Sequence, residues 1–418
     1  MSPTYSASGG SKVLAVLAMC TFFVGWDSLI TVPLLPAMTG DTGIPVGLGA
    51  LLVSAYALAY LLSAPVFGAI LAPDPVGGMI FSGMVVLGIG TALTGLGGSF
   101  STLLLFRAVT GIGAGMVEPG VYALIGDRFP YERRGRAIGL VSGMLIASTL
   151  FGVPLGGYLA EVSTWRYTFW IIGGLAFLAS AAVYLALPAD RPESYSRQGA
   201  AGSALRSTLG QFRTAFSAAS VLFALLATFL WYGSLQGTFA NAGIYYSRYF
   251  GFTEAQNGLV LMVAGLASVI GSIVGGRLAD RFGKRTVVGI SSVIAATSVF
   301  VLTSIVTGTL PAAIIVHVVW ATAFASGFSA LTALVSELNP EARGTVLALN
   351  TSFMFAGSLV FTAASAVLLR AGGFPLVGAL SAVAALLVLP LTLYLIKKNV
   401  ASKSSTGTPE TSFKQERS

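Results

Sequence analysis

The sequence predicts an all-α membrane protein of twelve transmembrane helices, arranged as two pseudo-symmetric six-helix bundles. Three observations carry this prediction. Charge is scarce and absent from long stretches, basic residues cluster in alternate loops, and features of the first half return about 209 positions later. Of 418 residues, 55% are apolar and 9% charged, against about 25% charged in a soluble domain. So few charges cannot coat a water-exposed surface. Gly is abundant, at 51 residues, and small residues are how helices approach closely in lipid.

No Lys, Arg, Asp or Glu occurs in 42–73, 75–106, 214–247, 286–336, 344–369 or 371–396. A helix needs about 20 apolar residues to cross hydrocarbon. The 286–336 run is too long for one span and is punctuated by Thr307-Gly308-Thr309-Leu310-Pro311, so it reads as two. The expected spans are 13–38, 46–72, 77–97, 101–126, 136–160, 167–188, 217–245, 255–277, 285–307, 311–334, 345–369 and 374–396. Only helices and closed barrels span lipid, and continuous apolar runs without period-two alternation exclude the barrel. Residues 1–12 form an N-terminal segment, 13–188 and 217–396 the two bundles, 189–216 a polar linker and 397–418 a disordered tail rich in Ser and Thr. The first apolar segment is too long for a cleaved signal peptide and is retained as helix 1.

Basic residues set the orientation. With the N-terminus inside, 19 of the 23 Lys and Arg fall on inner loops and tails, three (Arg166, Arg248, Arg370) on outer loops, and Arg107 within helix 4. That bias puts both termini in the cytoplasm. It also accounts for the net charge of +8, so nucleic acid is not an expected partner. Cys20 stands alone in an apolar helix and reads as packing.

Gly276-Arg277-Leu278-Ala279-Asp280-Arg281-Phe282-Gly283-Lys284-Arg285 follows helix 8, and Gly68 to Gly78 occupies the matching place after helix 2. Arg134-Gly135 before helix 5 returns as Arg343-Gly344 before helix 11. Transporters built from such parallel repeats bind substrate between the halves, near the bilayer midplane.

These residues resemble a known family. The 276–285 segment looks like the loop signature of the major facilitator superfamily, and Arg107 to Gly115 resembles its helix 4 motif. Gly143 followed by Gly152-Val153-Pro154-Leu155-Gly156-Gly157 is similar to the helix 5 motif of antiporters. Pro33-Leu34-Leu35-Pro36 and Trp165-Arg166-Tyr167 add to the likeness, which covers roughly 13–396 and is greatest to the twelve-helix drug:proton antiporter branch. The resemblance implies the major facilitator fold, alternating access and a bacterial cytoplasmic membrane. Gating roles are expected for Asp280, Arg281 and Gly283, for Arg134, and for Gly152, Pro154 and Gly156. The first loop copy departs from the pattern, with Pro73 and Pro75 around Asp74 and no basic residue. Its latch is expected to be weak or differently built.

An ionisable group at a helix centre costs about 2.5–3.5 kcal/mol on insertion scales. Asp27 in helix 1 and Arg107 and Glu118 in helix 4 carry that cost. Arg107 and Glu118 lie about 20° apart on one face and ~16 Å apart along the axis, so they line one wall without touching. Asp27 is closer in depth to Arg107. Two readings remain open: a permanent Arg107–acid pair that fixes packing, or carboxylates, Asp27 and Glu118, that exchange protons. Burial favours a neutral carboxyl and a neighbouring Arg the charged form, so a group between these influences can do both. His317 falls near the repeat equivalent of Arg107, and Gln236 lies 209 positions after Asp27. Both, with Asn350, are candidate cavity donors. Trp26, Trp231, Tyr232, Phe239, Trp320, Phe324 and Phe353 are candidate aromatic lining. Tyr245, Tyr246 and Trp170 read as interfacial anchors.

No phosphate-cradling loop or metal-ligand cluster is present in the sequence, so no enzyme activity and no cofactor are expected. The expected function is proton-coupled efflux of lipophilic or amphipathic small molecules by a monomer in the lipid bilayer. The alternatives are export or import of a polar metabolite such as a sugar or nucleoside and, in another class, a non-transporting receptor or scaffold.

Overall fold

A computed structural model of the chain describes residues 7–67, 76–187, 219–338 and 343–395. The loop around Asp74, the 189–216 linker and the 397–418 tail lie outside the described residues. Among those described, twelve helices are long and apolar enough to cross a membrane. The first six are α1 (Ser11–Thr42), α2 (Val46–Ala64), α3 (Val76–Leu96), α4 (Phe100–Gly126), α5 (Arg136–Val162) and α6 (Trp165–Ala186). The second six are α7 (Ala219–Phe250), α8 (Glu254–Phe282), α9 (Lys284–Ser304), α10 (Leu310–Val335), α11 (Leu349–Gly372) and α12 (Phe374–Leu393).

The repeat is visible in the packing. In the first half α1 packs on α5 and α6, α3 on α4 and α6, and α2 on α4. In the second half α7 packs on α11 and α12, α9 on α10 and α12, and α8 on α10, which are the same pairs six helices later. The two halves meet where α2 faces α11, α5 faces α8 and α1 faces the last turns of α7.

Three helices depart from plain spans. Pro33 and Pro36 do not end α1, which continues to Thr42. A proline in a membrane helix removes a donor and frees the carbonyl four residues earlier, which a neighbour must meet. For Pro36 that carbonyl is Val32 O, and Gly243 of α7 packs directly onto it. In α5 a π turn over Ser148–Gly152 precedes Pro154 and widens the helix where the donor is missing. α7 breaks at residues 240–241, where Asn241 Nδ2 donates to Gly237 O at 3.2 Å and to Ser365 Oγ at 2.9 Å. It then resumes to Phe250 and ends on Gly251, whose φ of 66° is the left-handed conformation that Gly adopts freely.

The halves converge at one end and part at the other. Near Gly157, Gly243 and Gly258 backbones of opposite halves touch, and a Cβ on Gly258 would lie 3.0 Å from Pro154 Cα. Toward the start of α5 a Cβ on Gly139 or Gly143 would meet nothing within 4 Å.

The α1–α5 contact tests this packing. A Cβ on Gly152 would lie 2.7 Å from Trp26 Cγ, within the indole's own space. Gly152→Ala is expected to cost about 1–3 kcal/mol by overpacking. Gly143→Ala meets open space and is expected to gain up to about 1 kcal/mol of helix propensity. Thermal melts of the purified protein should move in opposite directions, and equal melts would contradict the contact.

Candidate functional site

The polar centre of the first half uses one group from each of four helices. Asp27 of α1 accepts from Arg107 Nη1 of α4 at 2.9 Å through Oδ2, and from Thr91 Oγ1 of α3 at 2.8 Å through Oδ1. Arg107 Nη2 also reaches the Asp27 carbonyl at 3.4 Å. The Tyr56 ring of α2 lies 4.9 Å from the guanidinium carbon, a cation–π distance. The side chains of Asp27 and Arg107 are both 0% exposed. In this conformation the carboxylate is committed to its partners on both oxygens.

Glu118, about three turns further along α4, sits differently. It is only partly buried and accepts a hydrogen bond from the Tyr60 hydroxyl of α2. Tyr60 stacks on Phe355 of α11 in the opposite half, with ring centroids 4.2 Å apart. The ring of Tyr232 of α7 is 5.9 Å from Phe328 of α10. Phe328 in turn borders a cleft of about 420 Å³ whose wall includes Ser272, Ser329, Thr332 and Ser336. Glu118 is therefore an acid held by a tyrosine that itself stacks on the opposite half.

Tyr56 and Tyr60 link these two environments. They lie one turn apart on α2 with centroids 6.4 Å apart, one ring on Arg107 and the other hydroxyl on Glu118. Sequence reasoning missed both. The signal was present, two tyrosines at i and i+4 in an otherwise aliphatic span, but only tertiary structure tells which acids they meet. It also missed Phe355, two positions beyond the Phe353 it named.

The other candidates are held inside the bundles. Trp26 packs on Gly152 and Gly156 in the α1–α5 seam. Trp231 is fully buried and stacks on Phe324 at 5.4 Å. His317 Nδ1 pairs with the Tyr246 hydroxyl at 2.8 Å, and Trp320 lies beside it. Asn350 Oδ1 accepts from Thr228 Oγ1 at 2.6 Å. Gln236 Oε1 has no hydrogen-bond partner among the described residues, and Phe239 packs with Ala240 and Ala242 at the α7 break. One expectation is corrected here. Tyr245 and Tyr246 are buried, not interfacial, and Tyr245 donates to Leu302 O at 2.6 Å. Past the break in α7, residues 242–246 are buried in the bundle, which hydropathy does not register. Trp170 is 36% exposed and stands edge-on to Tyr167, as an anchor would.

At the α8–α9 turn Gly283 takes a φ of 90° and Asp280 and Arg281 are exposed. Lys284 Nζ, 2.5 Å from Glu337 Oε1, ties this turn to the end of α10. Arg134 Nε donates to Phe129 O at 2.9 Å and closes the α4–α5 turn. The closed end holds a clasp that sequence reasoning did not anticipate. Glu161 of α5 accepts from Thr253 Oγ1 at 2.7 Å and from Ala255 N at 3.3 Å, at the positive N-terminus of α8. Residues 161 and 253 lie in different halves, so no local pattern pairs them. On the same side Arg166 Nη2 meets Asp41 Oδ2 at 2.8 Å and joins α6 to α1.

Comparison with known proteins fits this architecture. A family model described as Major Facilitator Superfamily matches residues 17–248 and 224–416. The chain is 27% identical over 391 residues to YceJ, an uncharacterized MFS-type transporter of Bacillus subtilis (strain 168), covering 92% of this chain and 96% of that one. Over 171 residues, 40% of this chain and 43% of the relative, it is 33% identical to the quinolone resistance protein NorA of Staphylococcus aureus. The solved structure of a D-xylose–proton symporter superposes with a TM-score of 0.77 over 93% of this chain and 98% of that one. At 15% identity, this last likeness is one of fold.

Two measurements probe the site. Asp27→Asn leaves Arg107 buried without its counter-charge and is expected to cost about 3–5 kcal/mol, whereas Asp27→Leu with Arg107→Met recovers most of the loss. Denaturant or thermal melts distinguish these, and an Asp27→Asn melt like wild type would refute the pair as an anchor. At the closed end, Glu161→Ala is expected to raise labelling of an Ala255→Cys probe, which adds only a sulfur beside Gly157, by an impermeant thiol reagent about two- to fivefold. Unchanged labelling would mean the clasp does not hold the seam.

Proposed function

Since this chain belongs to the major facilitator superfamily and is a transporter, not an enzyme, we propose that it exports lipophilic or amphipathic small molecules in exchange for protons. The observation that carries this reading is Glu118, a partly buried acid bonded to Tyr60, whose ring stacks on Phe355 of the opposite half. Binding pockets of this kind combine apolar walls with few polar groups. The NorA likeness, though it covers less than half the chain, points to efflux.

In the proposed cycle the substrate enters through the end left open between α5 and α8 and displaces the Tyr60 hydroxyl from Glu118. A proton arriving from the outside neutralises Glu118 and lets the substrate leave. Asp27 is a second proton carrier that becomes available only when its pair with Arg107 opens. Both termini are cytoplasmic, the unit is a monomer in the bacterial cell membrane, and the bundles 13–188 and 217–396, joined by the linker 189–216, rock about the central cavity. Asp280, Arg281, Gly283 and Arg134 turn with the cytoplasmic ends, while Gly152 and Gly156 bear on α1 and Pro154 bears on α8.

A second reading keeps the fold and changes the cargo to a polar metabolite. It is favoured by the hydroxyls of Ser272, Ser329, Thr332 and Ser336 along the cleft.

The test is movement of a lipophilic fluorescent cation in proteoliposomes under an imposed proton gradient, wild type beside Glu118→Gln. Gradient-driven movement that falls at least about tenfold in Glu118→Gln, with an unchanged melt, is the expected result. Movement that survives in the variant would remove Glu118 from the coupling path. No movement even in wild type would turn the assignment toward polar cargo.

A further inference from the structure

A second groove, of about 540 Å³, lies on the outer side of the second half between α8 and α9, with α10 as its floor. Its rims are Val274, Leu278 and Phe282 on α8 and Ile290 and Ile294 on α9, with Val319 beyond them on α10. These six side chains are 38–57% exposed although they stand on helices that cross the membrane. What they face is therefore lipid, not water. The groove exists because α8 and α9 each pack closely on α10 but only lightly on each other. Gly271 and Gly275 let α8 sit directly on Thr322 and Ser326 of α10, which leaves α9 standing off. The floor makes no polar demand, since Thr322 Oγ1 and Ser326 Oγ are already bonded to Val318 O and Gly271 O at 2.8 Å each. An unbranched hydrocarbon chain suits such a slot.

The mouth of the groove has the opposite character. It opens at the α8–α9 turn, where Arg277, Arg281 and Arg285 gather within nine residues. The Arg281 guanidinium carbon lies 5.2 Å from the ring centroid of Phe282, a wall residue, which fixes this charge at the opening. Lys284 is taken by Glu337. Among the described residues no carboxylate forms an ion pair with Arg277, Arg281 or Arg285, and Arg285 Nη2 is enclosed without a hydrogen-bond partner. Guanidinium groups hold phosphate through paired donors. A basic opening above an apolar slot between membrane helices matches an anionic lipid in both parts.

We propose that this groove is a binding site for one anionic phospholipid. One acyl chain lies between α8 and α9, and the phosphate is held at the α8–α9 turn by Arg281 with Arg277 and Arg285. The site is separate from the Glu118 region and does not depend on what the protein carries.

The test uses the full chain reconstituted in phosphatidylcholine vesicles with phosphatidylglycerol bearing a photoactivatable diazirine on one acyl chain. Crosslinked peptides are mapped by mass spectrometry. Label is expected to concentrate in residues 274–294 and 318–323, and to be competed by unlabelled phosphatidylglycerol but not by extra phosphatidylcholine. Arg277→Gln and Arg281→Gln should each lower it about fivefold. Ile290→Trp, which fills the slot and leaves the arginines in place, should lower it as well. Label spread evenly over the lipid-facing helices, or competed equally by phosphatidylcholine, would overturn the proposal. That comparison needs only the wild-type protein, so it decides even if a variant fails to fold.

Discussion

The buried pair of Asp27 and Arg107 is the interaction on which the first half depends. Neither charge is tolerable alone in hydrocarbon, and each finds its neutralising partner only when α1 and α4 are side by side. Thr91 and Tyr56 complete the arrangement from α3 and α2. Four helices that share no chain-local contact at this depth are thereby held in one register. The same energy that makes the pair costly to bury makes it costly to break, so α1 to α4 should move as one body.

A body that moves must have seams that part without unpacking. At the closed end the seams are built from backbone. Pro36 frees Val32 O, and Gly243 covers it; Pro154 and Gly258 meet across α5 and α8; Gly157 rests on the Glu254 carbonyl. Contacts of this type bury little side-chain surface, so separating them exposes little that lipid or water would resist. The Glu161 clasp adds a directional hydrogen bond at the rim, where water can replace it.

Much of this was legible in the sequence. Charge-free runs marked the spans, and the offset near 209 marked the halves, because lipid imposes both rules on every helix alike. The depth argument brought Asp27 near Arg107 because helical rise is fixed. What could not be read was partner choice across helices. His317 and Gln236 mirror Arg107 and Asp27 in position, yet His317 turns to Tyr246, a residue brought inside by the break in α7. Hydropathy is blind to that break, since no charge interrupts the chain there and 219–250 still reads as one apolar span. Tyr60 on Glu118 and Glu161 on the α8 N-terminus were hidden for the same reason.

The repeat is therefore a symmetry of shape and not of charge. Where the first half buries Asp27 and Arg107, the second has Gln236 and His317 at the corresponding positions, and these two do not pair. A proton-linked change in the proposed cycle must then originate in the first half. To move the second half it has to cross between them. In the middle of the molecule the contact that does so is Tyr60 on Phe355, and the hydroxyl of Tyr60 is the donor to Glu118. Any change in what Glu118 binds alters the group that this ring presents to α11. The acid nearest the interface is thus better placed to couple the halves than the pair sealed behind it.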